Sequence, residues 1–306
     1  RQLFDGEESR VMTMIFGVPM AVFMGQLTLG LVNGAFYALL SLGLAVIFGL
    51  LKIVNFAHGA QYMLGAFAAL LGFRYLGINY WLALILVPLV VGGCGMLMER
   101  FLLRRIAHLD HLYGLLLTFG LALIFEGTLI NLFGVSGARY ATPEILQGGL
   151  NLGFMFLPTY RAWVLVAALA MCLFTWFMIE RTRLGAYLRA GTENSQLMQA
   201  FGVNVPLLIT LTYGFGVGLA AFAGVLAAPL YPVSPTMGSS LLIVVFAVVV
   251  IGGMGSILGA ILTGLGMGII EGLTKVYYPE ASNTVIFLVM ILVLMLRPAG
   301  LFGKEA

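Results

Sequence analysis

The chain has 306 residues, of which 61% are apolar and only 9% charged. A soluble domain carries about 25% charged residues, so this composition excludes a water-facing globular surface and makes lipid the solvent. The net charge of +3 is small, no nucleic-acid partner is expected, and the 40 glycines suit close helix packing in a bilayer.

A helix crosses the hydrocarbon core with about 20 apolar residues. In chain order, that length predicts spans near 25–50, 58–76, 80–98, 112–134, 162–180, 206–230 and 284–297. The apolar stretch 240–274 is too long for one crossing and is interrupted by Gly252-Gly253-Met254-Gly255-Ser256, so it divides into two helices, giving nine spans. Val11–Met24 is a candidate tenth span, broken from the next by Pro19 and Gly25, with an interfacial helix as its alternative. The predicted fold is an all-α polytopic bundle of about 9–10 spans, with 1–306 forming a single transmembrane domain. Cys94 and Cys172 lie inside apolar runs and read as small hydrophobes. No signal peptide with a cleavage site is recognisable, and a start at Arg1 in place of Met leaves room for missing first residues.

Charge orients the bundle. Placing 1–11, Lys52, 100–110, 181–205 and the C-terminus inside puts eleven Lys and Arg there, against four outside (Arg74, Arg139, Arg161 and Lys275). Tyr75, Tyr80, Trp81, Tyr160, Trp163, Tyr277 and Tyr278 then fall at the outer interface, where aromatic belts sit. With ten spans, both termini are cytoplasmic.

Two features lie within the spans. Glu126 sits inside the run Leu115–Phe133, where a carboxylate is expensive; a functional role and a protonated or hydrogen-bonded structural role both stand. Glu271 lies nearer the outer end and is expected to reach the interface. Small residues recur every fourth position at Gly252, Ser256, Ala260, Gly264, Gly268 and Gly272, a groove that favours close helix packing over a pathway lining.

Catalytic constellations are missing. There is no G-x-x-x-x-G-K-[ST] phosphate loop, so the chain is expected to hold no ATP of its own. His58, His108 and His111 show no metal-ligand spacing with Cys or carboxylates, and no Ser–His–Asp or paired-carboxylate arrangement is present. The chain is therefore expected to be a non-catalytic subunit without cofactors.

The inner loop 181–205, RTRLGAYLRAGTENSQLMQAFGVNV, is the most informative segment. Thr192 is suited to an N-cap, Glu193 to the first turn, and Gly202 to the left-handed position after a helix end. A helix of about nine residues fits between them, with Leu197, Met198 and Phe201 as an apolar stripe. Such a stripe needs a cover: a partner, the chain's own bundle, or lipid headgroups.

The stretch Leu27–Phe67 resembles the opening of LivH-type permeases of branched-chain amino acid importers, including the run Asn55-Phe56-Ala57-His58-Gly59. Arg183–Val205, with Gly185, Arg189, Ala190 and Glu193, is similar to the same family, as are Val250–Ala260 and the closing Arg297-Pro298-Ala299-Gly300-Leu301-Phe302. The loop also resembles the cytoplasmic coupling segment of ABC-importer permeases at Gly202 and Val205-Pro206, although Gln196-Leu197-Met198 stands where that pattern has E-A-A. The resemblance covers the chain from about residue 25 to its end.

It implies the ten-helix ABC-importer permease fold in the bacterial inner membrane. The implied partners are a homologous LivM-like permease, two cytoplasmic ATPase subunits (LivG- and LivF-like) that bind ATP and Mg, and a periplasmic substrate-binding protein. The expected function is inward translocation of branched-chain or other hydrophobic amino acids, or related small molecules, by alternating access. Leu197, Met198, Phe201 and Gly202 are the expected ATPase-docking residues, with Arg189 and Glu193 as polar contacts. Asn55 and His58, at a polar break near membrane depth, are expected either to pack a helix terminus or to line an inner gate. The rival expectation is a self-contained proton-coupled transporter or channel that uses Glu126 or Glu271.

Overall fold

The computed structural model describes residues 14–15, 17–51 and 55–303. The orientation argument also rests on Arg1, Arg10, Lys52 and Lys304, which lie outside the described residues. Helix α1, Met20–Leu51, has 32 residues and a length of about 48 Å, more than the hydrocarbon thickness requires. It begins earlier than residue 25 because Met20–Met24 continue the apolar run without a break. Val18–Pro19 (β2) instead pairs antiparallel with Met14–Ile15 (β1). The described part of 11–24 is thus a short hairpin and the start of α1, not a tenth span; 11–13 and Phe16 lie outside the described residues.

Helices α2 (His58–Leu76) and α3 (Tyr80–Met98) follow. The α3 axis continues through a π-helical turn, Glu99–Leu103, into the short α4, Arg104–Ile106. Next come α5 (His111–Phe133) and α6 (Thr159–Arg181). Helices α7 (Arg183–Glu193) and α8 (Ser195–Ala200) form the loop region. The chain then returns through α9 (Val205–Ala227), α10 (Met237–Gly252), α11 (Ile257–Tyr277) and α12 (Val285–Leu296). Among the described residues, six helices are long and apolar enough to cross a membrane: α1, α3 with its continuation, α5, α6, α9 and α11. Helix α2 is diluted by His58, Gln61 and Arg74, while α10 and α12 are short and apolar. These nine helices match the nine expected spans in position.

The break at 252–256 follows from its residues. Gly253 (φ +96°) and Gly255 (φ +86°) take left-handed conformations, and the Ser256 hydroxyl accepts from Gly259 N at 3.1 Å to cap α11. The small-residue stripe of α11 packs on α1. A Cβ on Gly268 would lie 2.3 Å from Gly34 Cα, so the two backbones touch where only glycine fits. Helix α9 is buried almost continuously from Tyr213 to Ala227, with α1, α2 and α3 against it.

The two ends of the bundle differ. One gathers the end of α1, the α6–α7 corner, the 252–256 turn and the C-terminal tail, whose Leu301 N and Phe302 N donate to Ile251 O and Gly252 O at 2.8 and 3.1 Å. The opposite end is aromatic: Tyr80 and Tyr160 share a hydrogen bond of 2.9 Å, Trp163 Nε1 donates to Tyr80 at 3.0 Å, and Trp81 packs edgewise on Trp163. A hairpin of β3 (Gly149–Asn151) and β4 (Phe156–Pro158) lies in the connection between α5 and α6.

Candidate functional site

Two glycines and two asparagines shape the segment between α6 and α9. Thr182, in an extended conformation, ends α6, and the chain folds back so tightly that a Cβ on Gly185 would lie 1.6 Å from Ile179 O. Arg189 reinforces this corner, its Nη1 donating to Ile179 O at 3.0 Å and to Glu180 Oε2 at 3.2 Å. Leu188 is buried beneath the corner. Asn194 then interrupts the helix, its Oδ1 accepting from Leu197 N at 2.9 Å. The N-cap of α8 is therefore Asn194 and not Thr192; Thr192 belongs to α7, its hydroxyl donating to Arg189 O at 2.7 Å. This correction shortens α8 to six residues. The expected end stands: Gly202 has φ +82°, and Val203 N donates to Met198 O at 3.1 Å. Asn204 Oδ1 accepts from Leu207 N at 3.1 Å and starts α9.

The segment is thus braced at both ends and bare in the middle. Leu197 is 53% and Phe201 74% exposed, Met198 is half-buried, and α8 has no buried residue. Glu193 is exposed at the end of α7. Arg189, expected as an outward polar contact, uses its guanidinium at the corner while its side chain stays 50% exposed.

Asn55 and His58 lie elsewhere, in the packed interior. Asn55 Oδ1 accepts from Ala57 N at 3.1 Å and its Nδ2 donates to Gln61 Oε1 at 3.0 Å, while Gln61 Nε2 donates to Tyr213 Oη at 3.4 Å. His58 Nε2 donates to Leu40 O at 3.0 Å, which fixes the tautomer and leaves Nδ1 without a partner among the described residues. Phe56 N donates to Thr118 Oγ1 at 3.1 Å. These bonds join α1, α2, α5 and α9 through side chains that are 1–2% exposed at Asn55, His58 and Gln61. The cavity beside His58 is about 10 Å³, room for one water at most. In this conformation both residues pack a helix start.

Glu126 is partly exposed on α5, of whose apolar stretch only 11% is buried. The structure therefore does not unite it with Asn55 and His58, nor any of the three with the α7–α8 segment.

Two charged networks were not foreseen. Glu99, 2% exposed in the π-helical turn, accepts from Arg104 Nε and Nη2 at 3.3 and 3.0 Å and from Thr210 Oγ1 at 2.6 Å. Arg104 Nη2 also donates to Pro206 O at 2.9 Å, tying the end of α3 to the first turn of α9. Glu99 escaped the sequence reading because it borders a basic stretch that reads as surface. The second network centres on Glu271, which lies in the last two turns of α11 and is 5% exposed, its Oε2 accepting from Tyr37 Oη at 2.7 Å and its Oε1 from Lys275 Nζ at 2.5 Å. The i,i+4 spacing of Glu271 and Lys275 was the available signal. Beside them a pocket of about 400 Å³ is lined by Asn33, Phe36, Tyr37, Tyr231, Met237, Ser240 and Leu241.

The family profile described as branched-chain amino acid transport system / permease component matches residues 26–294. The chain is 31% identical to the high-affinity branched-chain amino acid transport system permease protein LivH of Salmonella typhimurium, over 92% of this chain and 96% of that protein. It is 30% identical, with the same coverage, to the corresponding permease protein BraD of Pseudomonas aeruginosa. It is also 28% identical to the permease protein LivM of Salmonella typhimurium, over 87% of this chain and 67% of that one.

Proposed function

We propose a function from a family premise: the chain belongs to the branched-chain amino acid transport permease components, and it is one membrane-spanning subunit of an ATP-binding-cassette importer. Its cargo is a branched-chain or similarly hydrophobic amino acid, moved inward by alternating access. The chain itself holds no cofactor, and ATP with Mg is bound and hydrolysed by two cytoplasmic partner subunits. The second permease is a homologue, and the similarity of this chain to both LivH and LivM proteins supports such a pair. Helix α5 supports it too: Glu126 on so bare a helix is ill-suited to lipid and well suited to a protein neighbour.

The observation that carries the reading is the braced α7–α8 segment. An ATPase can shift the bundle only if it binds one bundle state better than the other. A capped helix with exposed Leu197 and Phe201, tied through Gly185 and Arg189 to α6 and through Asn204 to α9, is built to pass that preference into two membrane helices. In the bacterial inner membrane, this end faces the cytoplasm and the aromatic end faces a periplasmic binding protein, as the Lys and Arg count after α1, nine inside against four outside, supports.

The test is uptake of L-leucine into proteoliposomes containing the full assembly and its binding protein. Uptake is expected to require internal ATP, to survive a protonophore, and to be lost in the Leu197→Asp/Phe201→Asp variant together with ATPase binding. Wild-type coupling in that variant would remove the docking assignment. Uptake that follows the proton gradient and ignores ATP would favour the self-contained transporter.

A further inference from the structure

We propose that the pocket between α1, α10 and α11 is a transient binding site for a zwitterionic, apolar α-amino acid, with Lys275 facing its carboxylate and Glu271 its ammonium. The proposal rests on the importer reading above and adds a place in this chain where cargo is recognised.

The position is the first argument. Met237 and Ser240 open α10, and Glu271 and Lys275 lie in the last two turns of α11, all remote along their helices from the 252–256 turn. That turn contacts Gly49 and belongs to the α7–α8 end. The pocket therefore lies toward the aromatic end, where cargo would arrive.

The second argument is the composition of the walls. At about 400 Å³ the pocket is of the size that takes small molecules. Phe36, Met237 and Leu241 supply an apolar side, and Tyr231 packs edgewise on Phe36 with ring centroids 6.4 Å apart. Against that side stand one carboxylate and one ammonium. Glu271 is almost fully buried, whereas Lys275 is 35% exposed in its side chain.

Charge conservation makes the exchange feasible. Each Glu271 oxygen accepts one hydrogen bond, from Tyr37 or Lys275, and each has a further lone pair. The Lys275 ammonium has three N–H groups, of which Glu271 takes one. A zwitterion can insert its own opposite charges between the pair without leaving either residue unpaired. A lone anion or cation leaves one of them uncompensated, an outcome most costly at the buried Glu271. The pair thus selects molecules that carry both charges close together beside an apolar group.

The test uses the assembled permease–ATPase complex in nanodiscs without the binding protein, probed by saturation-transfer NMR with L-leucine, L-leucinamide and 4-methylpentanoate. Wild type is expected to bind leucine about tenfold or more tighter than either analogue, as loss of one charge-assisted hydrogen bond implies. Lys275→Met should abolish the preference over leucinamide, Glu271→Gln the preference over 4-methylpentanoate, and Lys275→Arg should retain both. A merely structural ion pair would change thermal stability and leave these ratios unmoved. Unchanged ratios in Lys275→Met and Glu271→Gln, or no leucine preference in wild type, overturn the site. ATP-driven leucine uptake by the wild-type assembly reports separately on the importer reading, which stands or falls by that measurement alone.

Discussion

Gly185 carries the sharpest consequence of the α6–α7 corner. In Gly185→Ala the new methyl group would sit 1.6 Å from Ile179 O and 2.5 Å from Ile179 C, both backbone atoms that no rotamer can move aside. Ordinary contact begins near 3.4 Å, so the corner must open by roughly 1.8 Å, a strain of about 1–3 kcal/mol where the fold absorbs it. The Arg189 bonds to Ile179 O and Glu180 span this corner, so opening it lengthens them and frees α7 to swing. Under the proposed docking, Leu197 and Phe201, carried beyond α7, would then meet the ATPase in the wrong place. If a docking penalty of about 1.4 kcal/mol reaches the coupled state, ATP-driven uptake falls about tenfold. The assay is leucine uptake per assembled transporter in proteoliposomes, with ATPase activity and thermal midpoint measured on the same preparation. Gly191→Ala is the control in the same helix, because its Cβ would meet only Val205 methyl groups at 3.6 and 3.8 Å. That variant is expected to retain uptake. Wild-type uptake and stability in Gly185→Ala would refute the claim that the corner's closeness positions the coupling helix.

Glu99→Gln removes the charge that holds Arg104 and Thr210, and is expected to lower stability by about 1–3 kcal/mol, read as a lower thermal midpoint. Thr210→Val tests the same link from α9 and should fall in the same direction by less, since the Glu99–Arg104 pair survives. His58→Ala empties a fully buried site and removes the side-chain hydrogen bond to Leu40 O, an expected loss of about 2–4 kcal/mol. Uptake per folded His58→Ala transporter should stay near wild type; a collapse of uptake at unchanged stability would instead make His58 part of a gate.

The helices were legible because hydropathy is a local signal: each of the nine helix positions follows from an apolar run, and the split at 252–256 follows from two glycines, Gly253 and Gly255, that take left-handed conformations. The start of the chain was less legible. Val11–Met24 is apolar enough to suggest a crossing, but hydropathy does not distinguish a separate helix from the first turns of a longer one, and Met20–Met24 belong to α1. The cap of α8 failed for a related reason. Thr192 and Asn194 are both good N-caps, and the choice between them was decided by α7, which Gly185 and Leu188 seat firmly enough to carry the helix through Thr192.

The functional residues divide by whether their partners are near in sequence. Leu197 and Phe201 form a stripe from i,i+4 spacing alone, so the exposed helix could be anticipated. Glu99 with Thr210, and Tyr37 with Glu271, are 111 and 234 residues apart, and no periodicity in one segment reveals them. Glu126 represents a third case. Its own chain leaves α5 mostly bare, and a carboxylate so placed in a spanning helix is costly in lipid alone. Among the described residues nothing covers much of α5, so the role of Glu126 could be read neither from the run Leu115–Phe133 nor from the fold of a single subunit, and the proposed pairing of two permeases gives the carboxylate a protein neighbour that lipid alone does not.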